Sequence, residues 1–116
     1  MIKHSGGYES EQRVNMRGGP GTVTLEHFFR KDEFGGSRFK VCARLILPPG
    51  AGIGPHAHEG EDEVWLVVKG RARVTDNGVT SEVGPGDAVI TGRGQSHAIV
   101  NDGGEPFEAI AIIVAY

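Results

Sequence analysis

An all-β, antiparallel fold is what this 116-residue chain predicts, on three observations. Its 19 glycines and 6 prolines fall between short β-branched or aromatic runs. That is a distribution of turns, because a glycine inside a helix costs about 1 kcal/mol against alanine. Several of the runs alternate apolar and polar residues with period two, as half-buried strands do. Between two of them stands Asn77-Gly78, the signal of a two-residue hairpin turn.

Residues 1–21 are polar and punctuated by Gly6, Gly7, Gly18, Gly19 and Gly21, and read as an arm or edge segment that packs late or on a partner. Residues 22–30 read as a strand with Val23, Leu25, His27 and Phe29 on one side, followed by a loop over 31–37. A second strand, 39–47, carries Val41, Ala43, Leu45 and Leu47 in phase and ends at Pro48-Pro49-Gly50. Arg44 falls in the opposite phase and is expected outside. Further strands are read at 63–69, 71–75, 79–83, 87–91 and 97–101, with a glycine-rich loop from Gly92 to Ser96. The last strand, 107–115, is apolar in both phases and is therefore expected to be buried on both faces. Eight to ten strands without a long helix predict a closed or double-sheet roll.

Composition narrows the function classes. With 38% hydrophobic and 23% charged residues and a net charge of −3, residues 1–116 are read as a single domain with one core. No apolar run approaches the ~20 residues of a membrane helix, and Met1 to Ser5 lack the apolar stretch of a signal peptide. A soluble, cytoplasmic protein is expected. The single Cys42 has no internal partner, which fits a reducing compartment. Without a Lys/Arg stripe, neither nucleic acid nor a membrane surface is an expected partner.

Chemistry concentrates in two segments, 50–70 and 86–101. In the first, His56 and His58 are two apart and project the same way in an extended chain, so they can serve one metal ion. Beyond a turn at Gly60, Glu63 can return facing the same point, with Trp65 in phase behind it. In the second, His97 opens a strand after the glycine-rich loop. Three imidazoles and a carboxylate suit a divalent transition metal, Mn, Fe, Co, Ni or Zn, with positions left open for a ligand. Around them, Trp65, Arg93, Gln95, Asn101 and His27 are candidate pocket residues. Glu59, Glu61 and Asp62 read as a solvated acidic turn.

These segments resemble the paired motifs of the cupin superfamily. The first family pattern, G-x5-H-x-H-x3,4-E-x6-G, is met by Gly50, His56, His58, Glu63 and Gly70. The second, G-x5-P-x-G-x2-H-x3-N, is met by Gly86, Gly94, His97 and Asn101, with Gly92 where the family has proline. A spacer from Arg71 to Pro85 matches the shortest usual in microbial members. The resemblance implies a double-stranded β-helix, or jelly-roll barrel, holding one metal per chain on His56, His58, Glu63 and His97. It also implies a homodimer that exchanges N-terminal strands. The activity implied is that of a metal-dependent decarboxylase, dioxygenase, lyase or isomerase on a small carboxylate or sugar-derived compound, or else a non-catalytic small-molecule module. Small members are often labelled oxalate decarboxylase-like, although established oxalate decarboxylases carry two such domains and a lid bearing a proton-donating Glu. Gly92 is expected to loosen the loop before His97, since proline would fix its φ.

Overall fold

The computed structural model describes residues 1–116 as ten strands in two antiparallel sheets. In chain order the strands are β1 (Glu9–Val14), β2 (Thr22–His27), β3 (Phe39–Leu47), β4 (Gly52–Ala57) and β5 (Glu61–Lys69). The second half supplies β6 (Ala72–Asp76), β7 (Val79–Val83), β8 (Ala88–Gly92), β9 (Ser96–Val100) and β10 (Phe107–Ala115). Six strands form one sheet in the order β1-β2-β3-β10-β5-β8, and four form the other in the order β4-β9-β6-β7. Consecutive strands β4 and β5 thus lie in different sheets, as do β8 and β9. Two turns therefore cross from sheet to sheet at one end of the jelly roll.

Alternation decides what faces inward. Val23 and Leu25 from β2, Ala43, Leu45 and Leu47 from β3, and Trp65 and Val67 from β5 meet Ile53, Ala72, Val74 and Ile99 of the opposite sheet in one core cluster. Asn77 and Gly78 both take positive φ in the turn between β6 and β7, as the sequence predicts.

The segment read as an arm or edge segment supplies β1, which pairs along its length with β2 at the edge of the larger sheet and extends a wall of the barrel. Two expectations change. The strand expected over 22–30 ends at His27. β10 is buried on only one face: Phe107, Ala109 and Ala111 are covered, whereas Ile110, Ile112 and Val114 are partly exposed. Across the outside of the larger sheet, register places Cys42, Ile112, Val64 and Ile90 in one row and Arg44, Ile110, Leu66 and Ala88 in the next. Arg44 lies outside as expected, ion-paired with Glu26 and Glu108.

Candidate metal centre

His56 near the end of β4 and His97 on β9 are direct cross-strand partners in the smaller sheet. Glu63 stands on β5 of the larger sheet, and His58 follows β4 in the turn between the sheets. A ladder irregularity between Ile53 and His56 lets β4 re-enter register beside His97. The turn is tied down where it matters: His58 N–H donates to the Gln95 carbonyl at 3.0 Å, and Gly94 N–H donates to the His58 carbonyl at 2.8 Å. Both sheet-crossing turns are thereby stitched together at a donor residue.

The donor atoms converge. One from each of His56, His58, Glu63 and His97 lies within 4.8 Å of the others. His58 Nε2 and His97 Nε2 are 3.0 Å apart, as are His97 Nε2 and His56 Nε2, and Glu63 Oε1 is 2.9 Å from both His58 Nε2 and His97 Nε2. Donors at right angles on ~2.1 Å metal bonds are spaced by about 3.0 Å, whereas a tetrahedron would space them by about 3.4 Å. These separations fit neighbouring positions of an octahedron.

Tautomers assigned from the hydrogen bonds point the same way. His56 Nδ1 donates to the Gly54 carbonyl at 2.8 Å, and His58 Nδ1 donates to Glu61 Oε2 at 2.6 Å. Each frees an Nε2 lone pair for the common point. The His97 ring is held by stacking on Trp65, with centroids 3.9 Å apart and planes 11° from parallel, while its buried Nδ1 has no partner. The residues present therefore suit a divalent transition metal in number, type and spacing.

Electrostatics agree with a site that waits for positive charge. Burial alone would raise the Glu63 carboxyl, but in the metal-free chain, where His58 and His97 carry protons on the Nε2 atoms that face it, their hydrogen bonds outweigh burial and hold the group at about 2; a bound metal would take the place of those protons. His58 is raised above the ordinary histidine range, first by its bond to Glu63 and then, against burial, by Glu61. His56 is lowered, chiefly by burial.

Glu61 corrects the reading of a solvated acidic turn. It is 9% exposed, accepts from His58 and is ion-paired with Lys40. Its role was legible in principle, because Glu61, Glu63 and Trp65 share one phase of β5 and that phase faces inward. Gly92 is the second correction. It is the last residue of β8, opposite Asp62, and a Cβ there would lie 1.9 Å from Asp62 Oδ1. Tyr116 Oη donates to Asp62 Oδ1 at 2.7 Å and accepts from Arg93 N–H at 3.0 Å. Glycine therefore admits the Asp62 side chain, and the loop is pinned by the Tyr116 hydroxyl.

A cavity of about 210 Å³ opens beside the donors. Of the candidate pocket residues, Trp65 and His27 line it, and His27 Nε2 lies 2.7 Å from Glu11 Oε1. Arg93, Gln95 and Asn101 do not. Arg93 and Gln95 are exposed on the outer loop. Asn101 is fully buried and bonds only backbone: its Nδ2 donates to the Leu47 and Glu105 carbonyls, and its Oδ1 accepts from Gly103 N–H. Arg13, Met16 and Arg17, from the segment read as an arm, line the cavity instead.

Two crossed antiparallel sheets with a His3Glu cluster at the sheet-crossing turns define a small β-barrel able to bind a metal. The family model described as "Cupin domain" matches residues 43–113, and the chain belongs to the cupin family. It is 36% identical over 114 residues to the oxalate-binding protein of Thermotoga maritima, covering 98% of this chain and 93% of that protein. Among solved structures, a predicted oxalate decarboxylase from Thermotoga maritima is similar at TM-score 0.94 and 35% identity, covering all of both chains. The polyketide cyclase RemF of Streptomyces resistomycificus is similar at TM-score 0.79 and 25% identity over 99% of this chain and 80% of its own. Mannose-1-phosphate guanylyltransferase of Salmonella typhimurium is 34% identical over 77 residues, 66% of this chain but 16% of that enzyme.

Proposed function

We propose that this protein binds a small carboxylate, of the size of oxalate, at one divalent transition metal held by His56, His58, Glu63 and His97. The observation that carries the reading is the convergence of these four donors beside a cavity of about 210 Å³. Oxalate is the acid named in the relative 36% identical to this chain. A bound metal would supply Lewis acidity toward carboxylate oxygens. The chain's own groups do the rest. Glu61 orients His58, Trp65 buttresses His97, and the core residues Leu25, Leu45 and Ile53 narrow the cavity and limit water around the ligand.

Elemental analysis of protein purified without chelator tests the metal, with about one ion per chain expected. Titration calorimetry of the loaded protein with oxalate tests the ligand. Protein that refuses added Mn, Fe, Co, Ni and Zn overturns the site. Turnover is the second reading, favoured by His27 in the cavity wall, whose imidazole is oriented by its bond to Glu11 and can pass a proton. Under that reading, His27→Gln removes product formation and leaves oxalate affinity in place.

The protein is further proposed to act as a homodimer through the outside of the larger sheet. The partly exposed rows through Ile112, Val64 and Ile90 and through Ile110 and Leu66 support a second copy as occupant. Sedimentation should report twice the chain mass, and Ile112→Lys should halve it. No helix is long and apolar enough to cross a membrane. A cytoplasmic location stays part of the proposal.

A further inference from the structure

Three cationic residues line the cavity, Arg17 among them at its solvent-exposed edge, and they differ in what answers their charge. Arg13 lies against Glu11, and Lys40 against Glu61. Arg17 has neither a carboxylate partner nor a side-chain hydrogen bond. It is the one free cation at a cavity whose other wall gathers three imidazoles and Glu63.

Its backbone is held with unusual care. Asn15 and Arg17 both take left-handed conformations, at φ 50 and φ 53, where side chains other than glycine are disfavoured. Non-glycine residues persist in that region only where the surroundings over-determine them, and such residues gather at ligand clamps. The surroundings here do so. Asn15 N–H donates to the Gly21 carbonyl at 2.9 Å, Asn15 Nδ2 to the Gly19 carbonyl at 3.0 Å, and Gly19 N–H to the Met16 carbonyl at 2.9 Å. The loop then seats on β4. Gly52 N–H donates to the Pro20 carbonyl at 2.8 Å, and a Cβ on Gly54 would lie 2.0 Å from the Arg17 carbonyl oxygen. Gly54 is two residues before His56 and accepts from its ring. The strand that presents a donor histidine thus also fixes where Arg17 stands.

We propose that Arg17 is the anion-recognition residue of this cavity, its guanidinium taking a carboxylate of the ligand whose other oxygens face the donor cluster. A planar guanidinium donates two parallel hydrogen bonds to one carboxylate and stays charged at every working pH. Because the backbone of the loop is already ordered, the conformational cost when the anion arrives is confined to the Arg17 side chain. Arg17's role rests on the carboxylate reading of the site, and it explains why a segment resembling a loose arm is anchored beside the donors.

The test is calorimetric titration of Mn-loaded protein with oxalate, with malonate and with neutral imidazole, together with metal content and melting temperature. Arg17→Ala should weaken oxalate and malonate about ten- to a hundredfold, the range for a lost hydrogen bond to a charged group, and leave imidazole binding and metal content unchanged. Arg17→Lys should retain part of the affinity. Arg17→Gly should lose affinity like alanine while melting no lower than the parent, since glycine tolerates the left-handed backbone. Arg17→Ala and Arg17→Gly binding oxalate like the parent would overturn the role of Arg17 and leave the carboxylate reading standing. Loss of metal or of folding in Arg17→Gly would show a structural role and also overturn it. Metal-loaded parent protein that binds neither acid would overturn the carboxylate reading, and Arg17's role with it.

Discussion

His97 and Asn101 stand four residues apart on one course of chain, His97 within β9 and Asn101 just past its end, and both side chains are buried. They serve opposite ends of the barrel. Asn101 is met at every polar atom by backbone groups of the β3 end and the 102–106 turn, so nothing of it remains for a ligand. His97 has a buried nitrogen without a partner and another crowded against two imidazoles and a carboxylate. A buried polar group that is fully paired is holding structure, whereas a cluster of donors aimed at one another marks a place for a cation.

The largest effect expected from this contrast is on His97. His97→Ala removes one of four donors and should leave folded protein with almost no bound metal after dialysis, measured by elemental analysis; near-parental metal content would move the ligand set elsewhere. Asn101→Ala should do the reverse. Two carbonyls and one N–H lose their partner, at a cost of about 3 kcal/mol in denaturant unfolding, while one metal per chain is retained. Loss of metal without loss of stability in that variant would break the comparison.

Glu61 sharpens it. Glu61→Ala strips His58 of its Nδ1 acceptor and should weaken metal binding about 10- to 100-fold, with Glu61→Gln recovering part, read by competition with a chelating dye. The smallest effect is the pH response of metal-free protein. Glu63 sits at about 2 against an ordinary 4.5, so its contribution to stability is present above about pH 4.5 and is lost as pH falls toward 2. His58 is raised from 6.5, so its contribution is present below that value and is lost as pH rises through its higher folded value. Thermal unfolding should therefore peak between these limits, and Glu63→Gln should flatten the acid side.

Much of this was legible in order along the chain. The spacing of His56, His58, Glu63 and His97 carries the metal reading, period-two alternation places β2 and β3 to within a few residues, the Asn77-Gly78 turn places β7, and an apolar run places β10. β1 and β4 were harder. The β1 residues are largely polar because it is an edge strand with little core to face, and β4 is rich in glycine and proline because a loop packs directly on it. Asn101 lies in the same phase as His97, which suggested a role near the site, but phase says which face a residue takes and not which end of a barrel it reaches.

By itself, the sequence determined the all-β class, the turns and the chemical identity of the four donors, because these depend on periodicity, backbone preference and ligand type over short separations. Only the tertiary structure decided that Glu63 from one sheet meets His56 and His97 from the other, that Glu61 turns inward to hold His58, and that the loop carrying Arg17 lines the cavity. Those depend on how two sheets cross and how residues 15–21 pack on β4, and such long-range closeness leaves no mark at any fixed spacing in the chain.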